Sequence, residues 1–221
     1  MAIPFLKWAG GKRQLMKEII PRLPSDLGQG TKRYFSEPFI GGGALMFQLF
    51  ESDLIDEAVI SDFNPELILC YRTIQKDVEG VIDELQKFQD EYDILSKENR
   101  KEKYFEIRKI FNESRPNINF LKFSKIWCLR TAQMIYLNKT GFNGLFRVNK
   151  DGNFNVPSAG GNDKIFLDKR NLRLVSNVLE NVTILQGDYT VCNELIDKNT
   201  FVYFDPPYRP LKNTSFTTYS T

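Results

Sequence analysis

The chain has no histidine among its 221 residues. Ser-His-Asp and Cys-His relays are therefore unavailable, and so are the usual zinc sites of hydrolases and deaminases. Cysteine is almost as scarce. Cys70, Cys128 and Cys192 lie far apart and form no CxxC pair, so they read as small buried hydrophobes, with no metal site and no disulfide framework expected. No apolar run approaches the ~20 residues of a spanning helix. The start, Met1 to Trp8, lacks the basic and apolar regions of a signal peptide, so a cytoplasmic protein with no membrane partner is expected. A charge excess is missing too: 30 basic against 28 acidic residues leave +2, too little to point to nucleic acid. Chemistry has to come from carboxylates, amides, aromatics or a cofactor.

What is present is ordinary soluble-protein material. With 42% hydrophobic and 26% charged residues, the chain can bury one substantial core with room for an inserted lobe. Acidic residues crowd Glu79 to Glu106, whereas Lys125, Arg130, Lys139, Arg147, Lys150, Lys169 and Arg170 make the following stretch basic. A solvated helix face and a phosphate-binding patch explain that asymmetry equally well.

The pattern is α/β. Arg13 to Ile20 reads as a short helix, Arg33 to Glu37 as a strand, and Ala44 to Phe50 as an apolar helix after a glycine loop. Ala58 to Ser61 is a second strand running into Asp62, after which Asn64 can cap a helix with Pro65 in its first position. Strand, glycine loop, helix and strand form one βαβ unit. The middle of the chain is helical, including a helix that Ser124 could cap, and is followed by a hairpin about Asp151-Gly152. The α/β pattern resumes with a helix capped by Asp168, a strand at Val182 to Gln186, a short helix near Val191 to Ile196, and a strand at Phe201 to Phe204.

That last strand delivers Asp205-Pro206-Pro207-Tyr208. An exocyclic amine on a base is a poor nucleophile because its lone pair is delocalised into the ring. A carboxylate (Asp205) and a backbone carbonyl (Pro206) accepting from it would localise that lone pair, and two prolines hold both acceptors in place. Tyr208 could stack on a base taken out of its duplex. The plainer alternative is a proline turn with a surface aspartate. Phe39-Ile40-Gly41-Gly42-Gly43, after Glu37-Pro38, lets backbone approach a ligand closely but lacks GxGxxG spacing, so a nicotinamide site is disfavoured. Asp62, at a strand tip, can hold ribose hydroxyls or serve as a local turn. Trp8 to Lys12 resembles a phosphate loop only superficially: Leu6 and Arg13 stand where glycine and Ser/Thr belong. Lys12 could meet a ligand carboxylate and Trp8 cover a methionine-like ligand, or both could be packing and surface charge.

Trp8 to Lys12, Glu37 to Gly43, Ser61 to Asn64, Gly141 to Arg147, Phe154 to Pro157 and Asp205 to Tyr208 occur in one order. In that order the chain resembles the Dam/DpnII-like (D12 class) family of DNA adenine-N6 methyltransferases over essentially its whole length. The resemblance implies a Rossmann-like S-adenosylmethionine-dependent sheet, formed by residues 1–69 and 163–221, with residues 70–162 as a helical and hairpin target-recognition insert. It further implies S-adenosylmethionine as cofactor, bound by Trp8, Lys12, Phe39, Gly41, Gly43, Asp62, Asp188 and Asp205, and Asp205, Pro206, Pro207 and Tyr208 as the catalytic motif. Double-stranded DNA is the implied partner, touched by Lys7, Phe142, Asn143, Leu145 and Arg147. An arginine can read guanine and an apolar hairpin residue can wedge into the gap left by an extruded base. No metal is implied. A restriction endonuclease of the same system is a further implied partner.

Two departures qualify the expectation. Ser158 to Asn162 replaces the basic, aromatic stretch of GATC-specific relatives, which detaches GATC specificity from adenine methylation. Relatives also continue well past the catalytic motif, so C-terminal strands of the family sheet are expected to be missing here, with a second chain as one possible supplier. The rival readings are a catalytically silent fragment that binds DNA or a partner, and an amine methyltransferase acting on cytosine N4 or on RNA.

Overall fold

The structure is a computed structural model that describes residues 1–30 and 33–207. Four strands, β1 (Tyr34–Glu37), β2 (Glu57–Asp62), β3 (Val182–Gln186) and β4 (Thr200–Val202), form one all-parallel sheet in the order β3-β2-β1-β4. β2 is buried for Ala58 to Ser61 in succession, as an interior parallel strand with both faces covered should be. The chain steps outward from β1 to β2 to β3, then returns to place β4 on the far side of β1. β4 is shorter than the strand expected at Phe201 to Phe204, although the Tyr203 amide still donates to the Ser36 carbonyl at 2.9 Å.

The helices follow their expected signals with two corrections. The first helical stretch is a mixture: a 3-10 turn at Lys12–Leu15, the single α-turn α1 (Met16–Ile19), and another 3-10 turn that Pro21 enters. α2 (Ala44–Glu51) starts directly on the glycine loop. α3 (Pro65–Ile94) is capped by Asn64, whose side chain accepts from the amides of Glu66 and Leu67, and it breaks at Asp77. α4 (Lys97–Ser114) is capped by Ser96 and α6 (Lys169–Leu179) by Asp168. α5 (Ile126–Thr140) begins one residue later than the expected cap, with no side-chain cap bond at Lys125, and Ser124 contributes only its carbonyl, to Trp127. The hairpin forms without regular strands, through one bridge between Val148 and Phe154 and the amide of Asn155 donating to Arg147.

α3 is the spine that joins the sheet to the helices after it, packing on β2 and β3 at one end of the sequence and on α5 and α6 elsewhere. At its first turn Glu66 is buried and forms a two-bond ion pair with Arg130 of α5, at 2.9 and 2.6 Å. The same guanidinium donates to the Phe111 carbonyl and the Ser114 hydroxyl of α4, and stacks 3.7 Å from the Phe111 ring. One charge pair therefore fixes α4 and α5 against the tip of β2. Removing one partner of such a pair leaves the other charged and desolvated. Arg130→Ala is accordingly expected to lower unfolding free energy by about 3–5 kcal/mol, read from urea denaturation; a loss under about 1 kcal/mol would show that the pair is not holding the lobe.

Candidate active site at the switch point of the sheet

Strands leave β1 in opposite directions, so a crevice opens between the carboxyl ends of β1 and β4. The glycine loop after β1 forms one wall. The Ile40 amide donates to the Ser61 carbonyl at 3.0 Å, the Ser61 hydroxyl to the Pro38 carbonyl at 3.0 Å, and the Tyr71 hydroxyl to the Gly41 carbonyl at 3.1 Å. Gly41 has φ +47, and a Cβ there would stand 2.8 Å from Cδ1 of the Trp8 ring. The indole thus lies directly on the loop backbone, which a larger residue would push away. On its other side Trp8 stacks with Phe146, with centroids 5.5 Å apart and planes 18° apart.

The opposite wall comes from β4. Asp205 forms an ion pair with Lys12, the side chains being 20% and 11% exposed respectively. Lys12 also donates to the Gly10 carbonyl at 2.8 Å. Lys12 was expected to face a ligand carboxylate; here its ammonium is engaged by a carboxylate of the chain itself. The pair keeps partial contact with solvent, so Asp205 is not locked in the core. Pro206 and Pro207 follow at the surface, while Tyr208 lies outside the described residues.

Beneath that pair sits a group to which sequence reasoning gave no role. Glu37 ends β1 with 5% exposure and hydrogen-bonds the Met46 amide in the first turn of α2. Its second oxygen, Oε2, has no hydrogen-bond partner among the described residues. Burial pushes its carboxyl well above the ordinary value; the Met46 amide opposes this, nearby Asp205 adds to it and Lys12 opposes it. The signal was present in the sequence as the acidic residue opening the glycine motif, but nothing there distinguished a buried acid from a loop-facing one.

Asp62 makes the local turn and also reaches the glycine loop. One carboxylate oxygen accepts from the Asn64 amide at 2.9 Å, as a local turn, and the other from the Gly41 amide at 3.2 Å, across to the glycine loop. Burial raises its pKa against those amide bonds. Asp188 is exposed and occupied locally, accepting from the Thr190 hydroxyl and, at 2.8 Å, from the Thr190 amide, which together lower its pKa in that order. Phe39 meets two aromatics missed in the sequence reading, Tyr189 at 6.1 Å and Phe204 at 6.3 Å between centroids, each about half exposed. Together they form an aromatic rim above the strand ends.

The DNA-side candidates lie together beyond Trp8. Phe142 and Asn143 are exposed at the start of the hairpin, Asn143 in the left-handed region with φ +56, and Lys7 is exposed alongside. Leu145 is half-buried. Arg147 is held by its own hairpin, donating to the Asn155 side chain at 2.7 Å and its carbonyl at 3.3 Å, so its guanidinium is aimed before any ligand arrives. Lys139 joins Lys7 and Arg13 in a cationic cluster: burial lowers its pKa first, and the other two cations lower it further against Asp168. Arg13 was read only as a mismatch to a phosphate loop; its place in the cluster depends on how the turn after Gly11 folds.

An open parallel sheet with a glycine-lined crevice at its switch point, a carboxylate-proline segment on one lip and an aromatic rim is an α/β, Rossmann-like methyltransferase fold. The chain belongs to the D12 class of N6 adenine-specific DNA methyltransferases, whose sequence model matches residues 8–221. It is 47% identical to the type II methyltransferase M.MjaIII of Methanocaldococcus jannaschii, over 98% of this chain and 73% of that one. It is 39% identical to the type II methyltransferase M1.LlaDCHI of Lactococcus lactis subsp. cremoris, over 98% and 70%. To the DNA adenine methylase of Vibrio cholerae serotype O1 it is 32% identical over 98% and 69%. The chain is an adenine-specific DNA methyltransferase. Among the described residues no helix is long and apolar enough to cross a membrane.

The buried acid gives a test of the site's electrostatics. Because the fold favours neutral Glu37, its stability cost is absent below the ordinary value near 4.5, where both folded and unfolded chains are protonated. Above that pH the unfolded chain releases a proton that the fold retains, so stability declines until the raised pKa is passed. Glu37→Gln is therefore expected to melt higher than the parent at pH 8, the difference closing as pH falls towards 4. A difference constant with pH would show that burial does not raise the Glu37 carboxyl above its unfolded value.

Proposed function

We propose that the crevice binds S-adenosylmethionine along the β1 loop and receives an adenine, extruded from duplex DNA, over the Asp205-Pro206 lip. The carrying observation is that the parallel sheet brings Asp205, Lys12 and the Gly41 loop to one switch point. The residues suit the donor. Trp8 lies directly on the Gly41 backbone, as a flat cover for a ligand on that loop would, and Glu37 keeps an unmatched polar oxygen nearby. Trp8, Lys12, Phe39, Gly41, Gly43, Asp62, Asp188 and Asp205 are the proposed donor contacts, with Asp62 taking ribose hydroxyls and Lys12 a carboxylate. The donor supplies a methyl group on a positively charged sulfur. Asp205 and the Pro206 carbonyl accept hydrogen bonds from the adenine N6 amine, drawing its lone pair out of the ring, and Pro207 fixes the backbone on which both depend. Tyr208 is the proposed stacking partner of the base.

Residues 70–162 act as the target-recognition insert on a catalytic part made of residues 1–69 and 163–221. Lys7, Phe142, Asn143, Leu145 and Arg147 contact DNA: Arg147 reads a base edge and an apolar hairpin residue wedges into the gap left by the extruded base, with the Lys7, Arg13 and Lys139 cluster on phosphates. The relatives named as type II methyltransferases support membership of a restriction-modification system, with a cognate endonuclease as companion and the cytoplasm as location.

Base-resolution methylation mapping of plasmid DNA exposed to the chain is expected to show N6-methyladenine in one short sequence context. N4-methylcytosine alone, or no incorporation, would reject the reading. Asp205→Ala is expected to lower turnover by about 10²–10³-fold or more with the circular dichroism spectrum intact; parent-level turnover would remove Asp205 from the chemistry. Gly41→Ala, forced into a left-handed conformation costing roughly 1–2 kcal/mol and against Trp8, is expected to weaken donor binding about tenfold. Unchanged affinity in equilibrium titration would place the donor elsewhere.

A further inference from the structure

The segment from Ile3 to Trp8 runs beside the core without joining the sheet, though Phe5 and Leu6 are buried. Its backbone groups need partners from elsewhere, and two asparagine side chains provide them. On α6, Asn171 accepts from the Ile3 amide at 2.9 Å and donates to the Ile3 carbonyl at 3.0 Å. On α5, Asn138 accepts from the Lys7 amide at 2.8 Å and donates to the Lys7 carbonyl at 2.9 Å. A primary amide has one acceptor and two donor hydrogens, so it can mimic a neighbouring strand for one residue.

The two clasps differ in a single bond. Asn138, 1% exposed, sends its amide nitrogen also to the Gly144 carbonyl at 2.8 Å. One buried side chain thereby joins Lys7, the residue before Trp8, to the loop that carries Phe142, Asn143 and Leu145. Gly144 sits at φ +64, and a Cβ on it would collide with Cδ of Lys7, so the loop backbone lies directly on that side chain. A second link runs in parallel: Trp8 is pressed between the Gly41 backbone and the ring of Phe146, the neighbour of Arg147.

We propose that Asn138 is a positioning residue that makes methyl-donor binding and DNA binding interdependent. The inference builds on the donor-side and DNA-side assignments of the proposed function. Asn138 touches neither ligand. A hydrogen bond to a buried carbonyl is costly to leave unmade, so when DNA fixes the Gly144 loop, the Lys7 backbone is fixed with it. Trp8 is then set against the glycine loop before the donor arrives. Linkage makes the effect reciprocal: the factor by which DNA tightens donor binding equals that by which the donor tightens DNA binding.

The test titrates the full chain with S-adenosylhomocysteine, alone and in the presence of a duplex carrying the mapped methylation site. The duplex is expected to tighten binding of the parent chain at least about fivefold. In Asn138→Ala that ratio is expected to fall to about one. Asn171→Ala loses the same kind of clasp without the loop bond, and is expected to keep the parent ratio while melting at a lower temperature. A folded Asn138→Ala that keeps the parent ratio overturns the proposal, as does a parent ratio of one. Should Asn138→Ala fail to fold, Gly144→Ala disturbs the same junction from the loop side and is judged by the same ratio. Failure of the parent to bind either ligand would instead overturn the functional reading on which the coupling is built.

Discussion

Divergence of the chain on either side of β1 is the constraint from which the site follows. Parallel strands need crossover connections, and consecutive crossovers here carry the chain from β1 to β2 and β3, after which β4 takes the free edge of β1. The loops after β1 and β4 then leave in opposite directions and cannot cover the space between them. That space receives the two segments with the least ordinary sequences, Pro38 to Gly43 and Asp205 to Pro207. A glycine-rich loop elsewhere would be a turn; here it is one wall of a crevice. Asp205 likewise gains its meaning from Lys12, which pairs with it, and from Glu37, which the pairing of Ser36 with Val202 brings to the same end of the sheet.

The electrostatics follow from the same crowding. Two carboxyl groups and one ammonium meet at the ends of β1 and β4, and burial works against the ionisation of one of them. Lys12 pairs with Asp205, the more exposed acid, whereas burial holds Glu37 towards its neutral form. The arrangement leaves an ion pair beside an acid whose burial favours its neutral form. In the proposed function, a zwitterionic donor would exchange partners with that pair, each charge released finding an opposite charge on the ligand.

Much of this was legible in the sequence, for identifiable reasons. β1 to α3 could be read because strand periodicity, the glycine loop, the Asn64 cap and Pro65 agree with one another. The order of the motifs carried the family. What could not be read were relations between segments far apart in sequence. Lys12 and Asp205 are separated by almost the whole chain, and neither signals the other. Glu37 looked like the first letter of a motif, and its burial depends on how α2 caps against it. The Ser124 cap failed because Lys125 takes the boundary position. Tyr189 and Phe204 were ordinary aromatics in the sequence until Phe39 brought them to the same rim.

The lobe and the sheet are joined by polar contacts of opposite character, and their placement separates stability from function. Arg130 with Glu66 is a buried knot: the guanidinium makes four hydrogen bonds, two to the Glu66 carboxylate and two to α4, and stacks on the Phe111 ring. It anchors the far side of the insert. Asn138 lies at the near side, where Lys7 and the Gly144 loop emerge towards solvent, and its partners are backbone groups of segments that lack regular structure. Arg130 thus ties helices to one another, whereas Asn138 ties two loop segments, and the proposed interdependence of donor and DNA binding rests on the second contact alone.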